Sequence, residues 1–292
     1  MTTEVELRRS GLLPNPFGSR AVLIGCDEPT FRQTRTQPTT GVAALGEALI
    51  AAASGMAFHP STVAVISRQN SPAEVYPAVV RAAREASDVL LVHYAGADRP
   101  SLLKRIAEVV WASKAARRVV LLDSPHAHSA LDWFAHDPRP DGEGPSYALT
   151  VLGSSPVYMR WAERWDPAFD QLTPTLAEAL QRGVDDAPKV LDLATLHDAV
   201  EGEWTQLRYR VEDEHMPGVS RLVLIGGEHV ALGLNIAAGP GTRNELGPMS
   251  RDARAVHLAE GMWDESPPRA APAAPLNFDG RASGIVVPRS ID

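Results

Sequence analysis

Short uninterrupted apolar runs, each closed by glycine or polar residues, alternate along this chain with longer segments in which apolar positions recur at helical spacing. The first run, Arg20 to Gly25 (RAVLIG), reads as a buried central strand. A polar stretch rich in Thr, Gln and Arg follows, then a helical pattern from Gly41 to Ser54 and a second strand from Val63 to Ser67. Ser71-Pro72-Ala73-Glu74 offers a hydroxyl at the N-cap, proline at the first helical position and glutamate two residues on. This capping box opens a helix that runs to about Ala86. Asp88 to Tyr94 (DVLLVHY) is the third strand, Ser101 to Ala116 a helix, and Arg117 to Asp123 (RRVVLLD) the fourth strand.

The alternation continues with a fifth strand from Tyr147 to Gly153 and a helix from Thr173 stopped by Gly183. An amphipathic helix over Asp192 to Leu207 comes next. Two apolar runs joined at Gly226-Gly227, within Ser220 to Asn235, then close the domain. Alternating β and α units with continuous apolar strands predict an α/β fold, a Rossmann-like sandwich of three layers with a mainly parallel central sheet covered on both faces. The expected organisation is an N-terminal extension over residues 1–18, one domain over 19–237, and a Pro/Gly/Ala-rich tail over 238–292. That tail includes SPPRAAPAAP, which is too poor in apolar surface to order by itself. Its last apolar word, Gly284 to Val287 (GIVV), is suited to adding a strand to a sheet edge.

Composition narrows the function classes. The chain has 292 residues and a formal net charge of −8, which leaves no broad basic footprint for a phosphate backbone and argues against nucleic acid as a partner. Cys26 is the single cysteine, so neither an internal disulfide nor a multi-cysteine zinc cage is available. No apolar run reaches the roughly 18 residues of a membrane span, and the polar start MTTEVELRRS lacks the apolar centre of a secretory signal. A cytoplasmic protein without membrane contact is expected. No glycine-rich phosphate loop follows any strand either: after Gly25 come Cys26, Asp27, Glu28 and Pro29, so no nucleotide cofactor is expected.

Several segments, taken in order from about Ser19 to Asn235, resemble the bacterial caspase-like family related to metacaspases. SRAVLIG is similar to that family's first strand, and VLLVHYAG to the strand ending in Tyr-Ala-Gly-His-Gly. RRVVLLDSPHAHSA is similar to the strand ending in Asp-Cys-Cys or Asp-Ser-Cys, while TPTLAEALQRG, DLATLHDAV and GGEHVALGLN resemble the later helices and closing strand. The resemblance implies a histidine after Tyr-Ala-Gly that assists a cysteine thiolate on the neighbouring strand. In this chain Tyr94, Ala95 and Gly96 are followed by Ala97 and Asp98, and Asp123 and Ser124 by Pro125. Pro125 supplies neither a nucleophile nor a backbone N–H. A degenerate member is therefore expected, a pseudoprotease that binds a protein or peptide or regulates an active partner, in keeping with a bacterial signalling or defence assembly.

Under that reading Asp27, Tyr94, Asp98, Asp123 and Ser124 are the candidate binding residues at the strand ends, their carboxylates suited to a basic side chain. A residual hydrolase is the alternative. It would use Cys26 as a displaced nucleophile, or a metal held by His126 and His128 with Asp132 and His136. Against the metal, His128, Asp132 and His136 at i, i+4 and i+8 are equally one solvated face of a helix. His93 lies inside an apolar strand, where a core histidine is expected rather than a general base, and strand alternation sends Tyr94 to the opposite face.

Overall fold

The computed structural model describes residues 7–8, 13–26, 38–51, 55–66, 72–96, 99–124, 127, 130, 133–134, 148–155, 172–211, 218–225 and 230–239. The central sheet is built from β1 (Arg20–Cys26), β2 (Val63–Ile66), β3 (Val89–Gly96), β4 (Arg117–Asp123), β5 (Ala148–Ser155) and β7 (Gly218–Ile225). Its order is β2-β1-β3-β4-β5-β7. The first five strands of that order run parallel, and β7 is antiparallel to β5. The protein is thus a mixed α/β fold on a mainly parallel sheet.

Five helices among the described residues cover the sheet: α1 (Pro38–Ile50), α2 (Pro72–Glu85), α3 (Pro100–Ala112), α4 (Leu172–Arg182) and α5 (Leu193–Val211). Strand parity assigns them to faces. Odd-numbered Ala21, Leu23, Leu91, Val119 and Leu121 form one cluster with Leu45 and Leu49 of α1, Leu176 and Leu180 of α4, and Leu196 of α5. Even-numbered Val22, Ile24, Leu90, Val92, Val120 and Leu122 pack against Val75 and Val79 of α2 and Ile106, Val110 and Trp111 of α3. Both faces being covered explains why these strands are apolar at every position instead of alternating.

Several features differ from or add to the sequence expectation. The helix expected over Gly41 to Ser54 spans Pro38–Ile50, and a short 3-10 turn at Pro60–Thr62 precedes β2. The two closing apolar runs do not share a sheet: β7 pairs with β5, whereas β8 (Ala231–Leu234) pairs antiparallel with β6 (Val190–Asp192) in a separate two-stranded sheet. β6 itself has only three residues, too few for an apolar pattern, and runs directly into α5. There Asp192, buried, accepts the Thr195 N–H at 2.8 Å and caps the helix. Leu7 and Leu13, from the segment expected as an extension, pack with Val190 and Ala231 of this second sheet.

At the amino ends of the strands, Asp88 ties β4 to the N-terminal segment. Its Oδ1 accepts from Arg117 Nε at 3.1 Å and Nη2 at 2.6 Å, and its Oδ2 accepts the Asn15 N–H at 2.6 Å. The Arg117 side chain is only 7% exposed, so its charge relies on that carboxylate more than a surface arginine would. Asp88→Ala is expected to cost about 2 kcal/mol. Asp88→Asn, which keeps an acceptor, should cost less. Urea unfolding of the parent and both variants reads this: the difference between Asn and Ala gives the worth of the neutral acceptor, and an Asp88→Asn midpoint equal to the parent's would show that the pair contributes nothing by its charge.

Candidate functional site

In an open parallel sheet, ligands collect at the carboxyl ends of the strands, where the strand order reverses. Here that point lies between β1 and β3, and the Cα atoms of Cys26 and Gly96 face each other across it. One strand further, Ala95 pairs with Asp123, so β3 and β4 end side by side. The residues that follow them in the chain are Ala97 and Pro125.

Beneath these ends lies a chain of three polar side chains. His93, Asp123 and the apolar Leu91 and Leu121 share the odd-numbered face of β3 and β4, toward α1 and α4. Thr173, in the first turn of α4, bridges the two strands. Its hydroxyl donates to Asp123 Oδ2 at 2.6 Å, its backbone N–H donates to the same oxygen at 3.0 Å, and His93 Nε2 lies 2.9 Å from the hydroxyl oxygen. Because the single Thr173 hydroxyl proton goes to the carboxylate, the oxygen can only accept from His93. The network therefore assigns the Nε2–H tautomer and leaves Nδ1 as a bare lone pair. Nδ1 has no hydrogen-bond partner among the described residues.

Burial sets the protonation states. His93 is wholly enclosed, which lowers its pKa from 6.5 to about 3, so it stays neutral at physiological pH. Burial pushes the Asp123 carboxyl up to about 6, although both Thr173 hydrogen bonds oppose the rise. The charged end of the chain thus sits at the N-terminus of α4, where the helix dipole favours an anion. An imidazole so far below neutrality, already bonded through Nε2, is unsuited to general-base work. What the arrangement does in the fold is dock the first turn of α4 onto β3 and β4.

The candidate residues read from the sequence fall in four groups. Asp123 and Ser124 are at the end of β4; Ser124 is 4% exposed, and its Oγ has no hydrogen-bond partner among the described residues. Tyr94 is wholly enclosed in the cluster under α2 and α3, on the face opposite His93. Cys26 ends β1. Asp27, Ala97, Asp98, Pro125, His126, His128, Asp132 and His136 lie outside the described residues. Among the described residues, only His197, Asp198 and Glu201 on α5 bring three potential metal-ligand atoms within 4.8 Å, and both carboxylates are exposed.

Thr173 is the residue that sequence reasoning missed. Two signals could have found it. His93 and Asp123 share odd parity, which places them on one face once β3 and β4 are taken as parallel neighbours, and a threonine opening a helix is suited to bonding a strand-end carboxylate. No protein-family model matches the chain, and no curated protein matches it. No helix among the described residues is long and apolar enough to cross a membrane.

Proposed function

We propose that this protein is a catalytically degenerate caspase-like protein that binds a protein or peptide at the carboxyl ends of its central strands and works as a regulatory component in the bacterial cytoplasm. The observation that carries the reading is the state of His93. It is the imidazole nearest the strand ends among the described residues, and it is enclosed, neutral and committed to Thr173. Ala97 and Pro125 stand at the positions where the resemblance expects histidine and cysteine, so neither position supplies the base or the nucleophile. The adjacency of the β3 and β4 ends supports a shared binding position, and the Asp123 carboxylate favours a basic side chain in the bound segment.

The purified chain, offered a diverse peptide library with and without calcium or zinc, is expected to cleave nothing above the level of Cys26→Ala and of His126→Ala/His128→Ala. It is expected to retain peptides rich in Arg or Lys, and Asp123→Asn should weaken that retention about tenfold. Turnover lost in Cys26→Ala would establish a residual cysteine peptidase. Turnover lost in the histidine double variant would establish a metal-dependent hydrolase.

A further inference from the structure

The two edges of the central sheet differ. β7 carries Arg221 and pairs with β5 through a register shift at Gly153 and Ser154, and a charge and a bulge both discourage a further strand. β2 has neither. Its four residues, Val63 to Ile66 (VAVI), hold an unbroken parallel register with β1 and pair with no other described strand. Alternate N–H and C=O groups of β2 therefore face away from β1. Its side chains are also less enclosed than those of the inner strands. Ala64 is exposed and Val65 is 43% exposed, whereas β3 is buried from Val89 to Ala95 and the small sheet at every position but Leu234. Among the described residues, Val65 is the only large apolar side chain of a strand that is exposed.

Val65 lies on the α1 side of the sheet, where a Cβ at Gly46 would be 3.2 Å from Val65 Cγ2 and 3.3 Å from Leu23 Cδ1. α1 thus covers the inner side of Val65 and leaves its outer side bare, which suits one more apolar strand. The chain carries a segment of that kind. After Gly239, the last described residue, the one run of three consecutive β-branched residues is Ile285-Val286-Val287. Gly284 precedes it, and Pro288, with no N–H to continue a ladder, closes it. The path to the edge also starts nearby. A Cβ at Gly55, in the connection between α1 and β2, would be 2.8 Å from Leu234 Cγ, and the Ala238 N–H donates to Asn235 O at 3.2 Å. The described chain therefore ends beside the connection that leads into β2. A segment the length of residues 240–283 spans roughly 33–40 Å as a random coil, and a tether of that kind holds a strand at an effective concentration on the order of millimolar. A weak edge pairing is then enough.

We propose that residues 284–287 add to the open edge of β2 in the same chain as one further strand, with Ile285 and Val287 beside Val63 and Val65 on the α1 side. Strand alternation makes the match. Residues i and i+2 share a face, so the two larger apolar side chains meet the two valines, while Gly284 and Val286 fall on the side of Ala64 and Ile66. The main-chain ladder supplies the pairing, and the cross-strand contacts of Ile285 and Val287 supply its register. The run is as long as β2 itself, and Arg281 and Arg289 stand on either side of it. Covered in this way, β2 no longer templates pairing with another chain. A partner that brings an extended segment gains the edge only by displacing residues 284–287. None of this depends on peptide binding at the strand ends, and the test uses the unliganded protein.

Amide hydrogen exchange and methyl NOEs on the labelled full-length protein test the pairing. All four β2 amides are expected to be protected in the parent. Ile285→Asp should speed exchange about tenfold at two alternate β2 amides, those facing away from β1, and leave β3 and β4 unchanged, whereas Ile285→Val should behave as the parent. Val65 methyls should show NOEs to Ile285 or Val287 that persist on dilution and stay within one copy when differently labelled chains are mixed. Outward amides that exchange freely in the parent, or β2 rates that Ile285→Asp does not alter, would overturn the proposal and leave the edge to a separate partner. Contacts found only between differently labelled copies would overturn it too, by giving the edge to a second copy. Faster exchange spread evenly over β2, β3 and β4 would show a general loss of stability and would equally sink the strand pairing. Ile285 belongs to none of the described core clusters, so the variant is expected to fold. The readings on the parent need no variant.

Discussion

Asp123→Asn is expected to lose about 3 kcal/mol of stability relative to the parent chain between about pH 6 and about pH 4, because it removes one half of a compensating pair. His93 has a folded pKa of about 3, below its ordinary 6.5, so below pH 6.5 the unfolded chain takes up a proton that the folded chain refuses. Its contribution is fully present above pH 6.5 and is lost as pH falls toward 3. Asp123 has the opposite sign. Its folded pKa of about 6 lies above its ordinary 3.8, so between those values the folded chain holds a proton that the unfolded one has released. Its contribution is fully present below pH 3.8 and is lost as pH rises through 6. Within the shared window of about pH 4 to 6 each state binds one proton, on Asp123 when folded and on His93 when unfolded, and the pair's net slope is near zero.

Removing Asp123 leaves the histidine slope of about 1.4 kcal/mol per pH unit uncompensated, and removing His93 leaves the same slope with the opposite sign. Asp123→Asn should thus weaken in acid relative to the parent, while His93→Gln should strengthen. Urea unfolding at several pH values, taken as differences from the parent, separates these slopes from any uniform loss caused by disturbed packing. Difference curves that stay flat in both variants would mean that neither group departs from its ordinary titration.

Much of the architecture was legible because its strands are unusually uniform. RRVVLLD coincides with β4, RAVLIG lies within β1, and the helix opened by Pro72 starts where the proline pattern puts it. An apolar run buried on both faces needs no partner to be recognised. Elements defined by pairing alone were not legible: β6 is three residues whose strand character depends on β8, and the separation of β7 from β8 depends on where each finds a neighbour. The site divides in the same way. Asp123 could be named from its place after an apolar run. Thr173 had signals of its own, as a threonine opening a helix, but its tie to Asp123 spans 50 residues and is fixed only by where α4 lands. His93 was correctly placed in the core, but its role in the chain to Asp123 follows only from the sheet register.

The far end of α4 is held as firmly as its first turn, and this gives the second large expected effect. Gly183 follows the helix with φ of +81°, and its N–H donates to Ala179 O at 2.9 Å, so the helix ends on a left-handed residue. A Cβ there would lie 2.5 Å from both Ala237 N and Asn235 Oδ1. Neither neighbour is free to yield. Asn235 Oδ1 accepts the Val184 N–H at 2.9 Å and the Ala237 N–H at 3.2 Å, and its Nδ2 donates to Val184 O at 2.8 Å and Ala187 O at 3.2 Å. Gly183→Ala is therefore expected to cost about 3 kcal/mol, from the left-handed backbone together with displaced hydrogen bonds, and to lower Tm by roughly 6–12 °C. Asn235→Ala should cost about 2 kcal/mol through the same loop. The double variant should lose clearly less than the sum, because the alanine at 183 already dislodges the asparagine. Strict additivity in a double-mutant cycle would show that the two residues act independently. Since the same helix carries Thr173, Gly183→Ala should also lower the protection of the Thr173 amide at neutral pH, where Asp123 is ionised. An unchanged Thr173 would mean that the two ends of α4 are held separately, and that the Asp123 contact alone suffices to seat the helix on the strand ends.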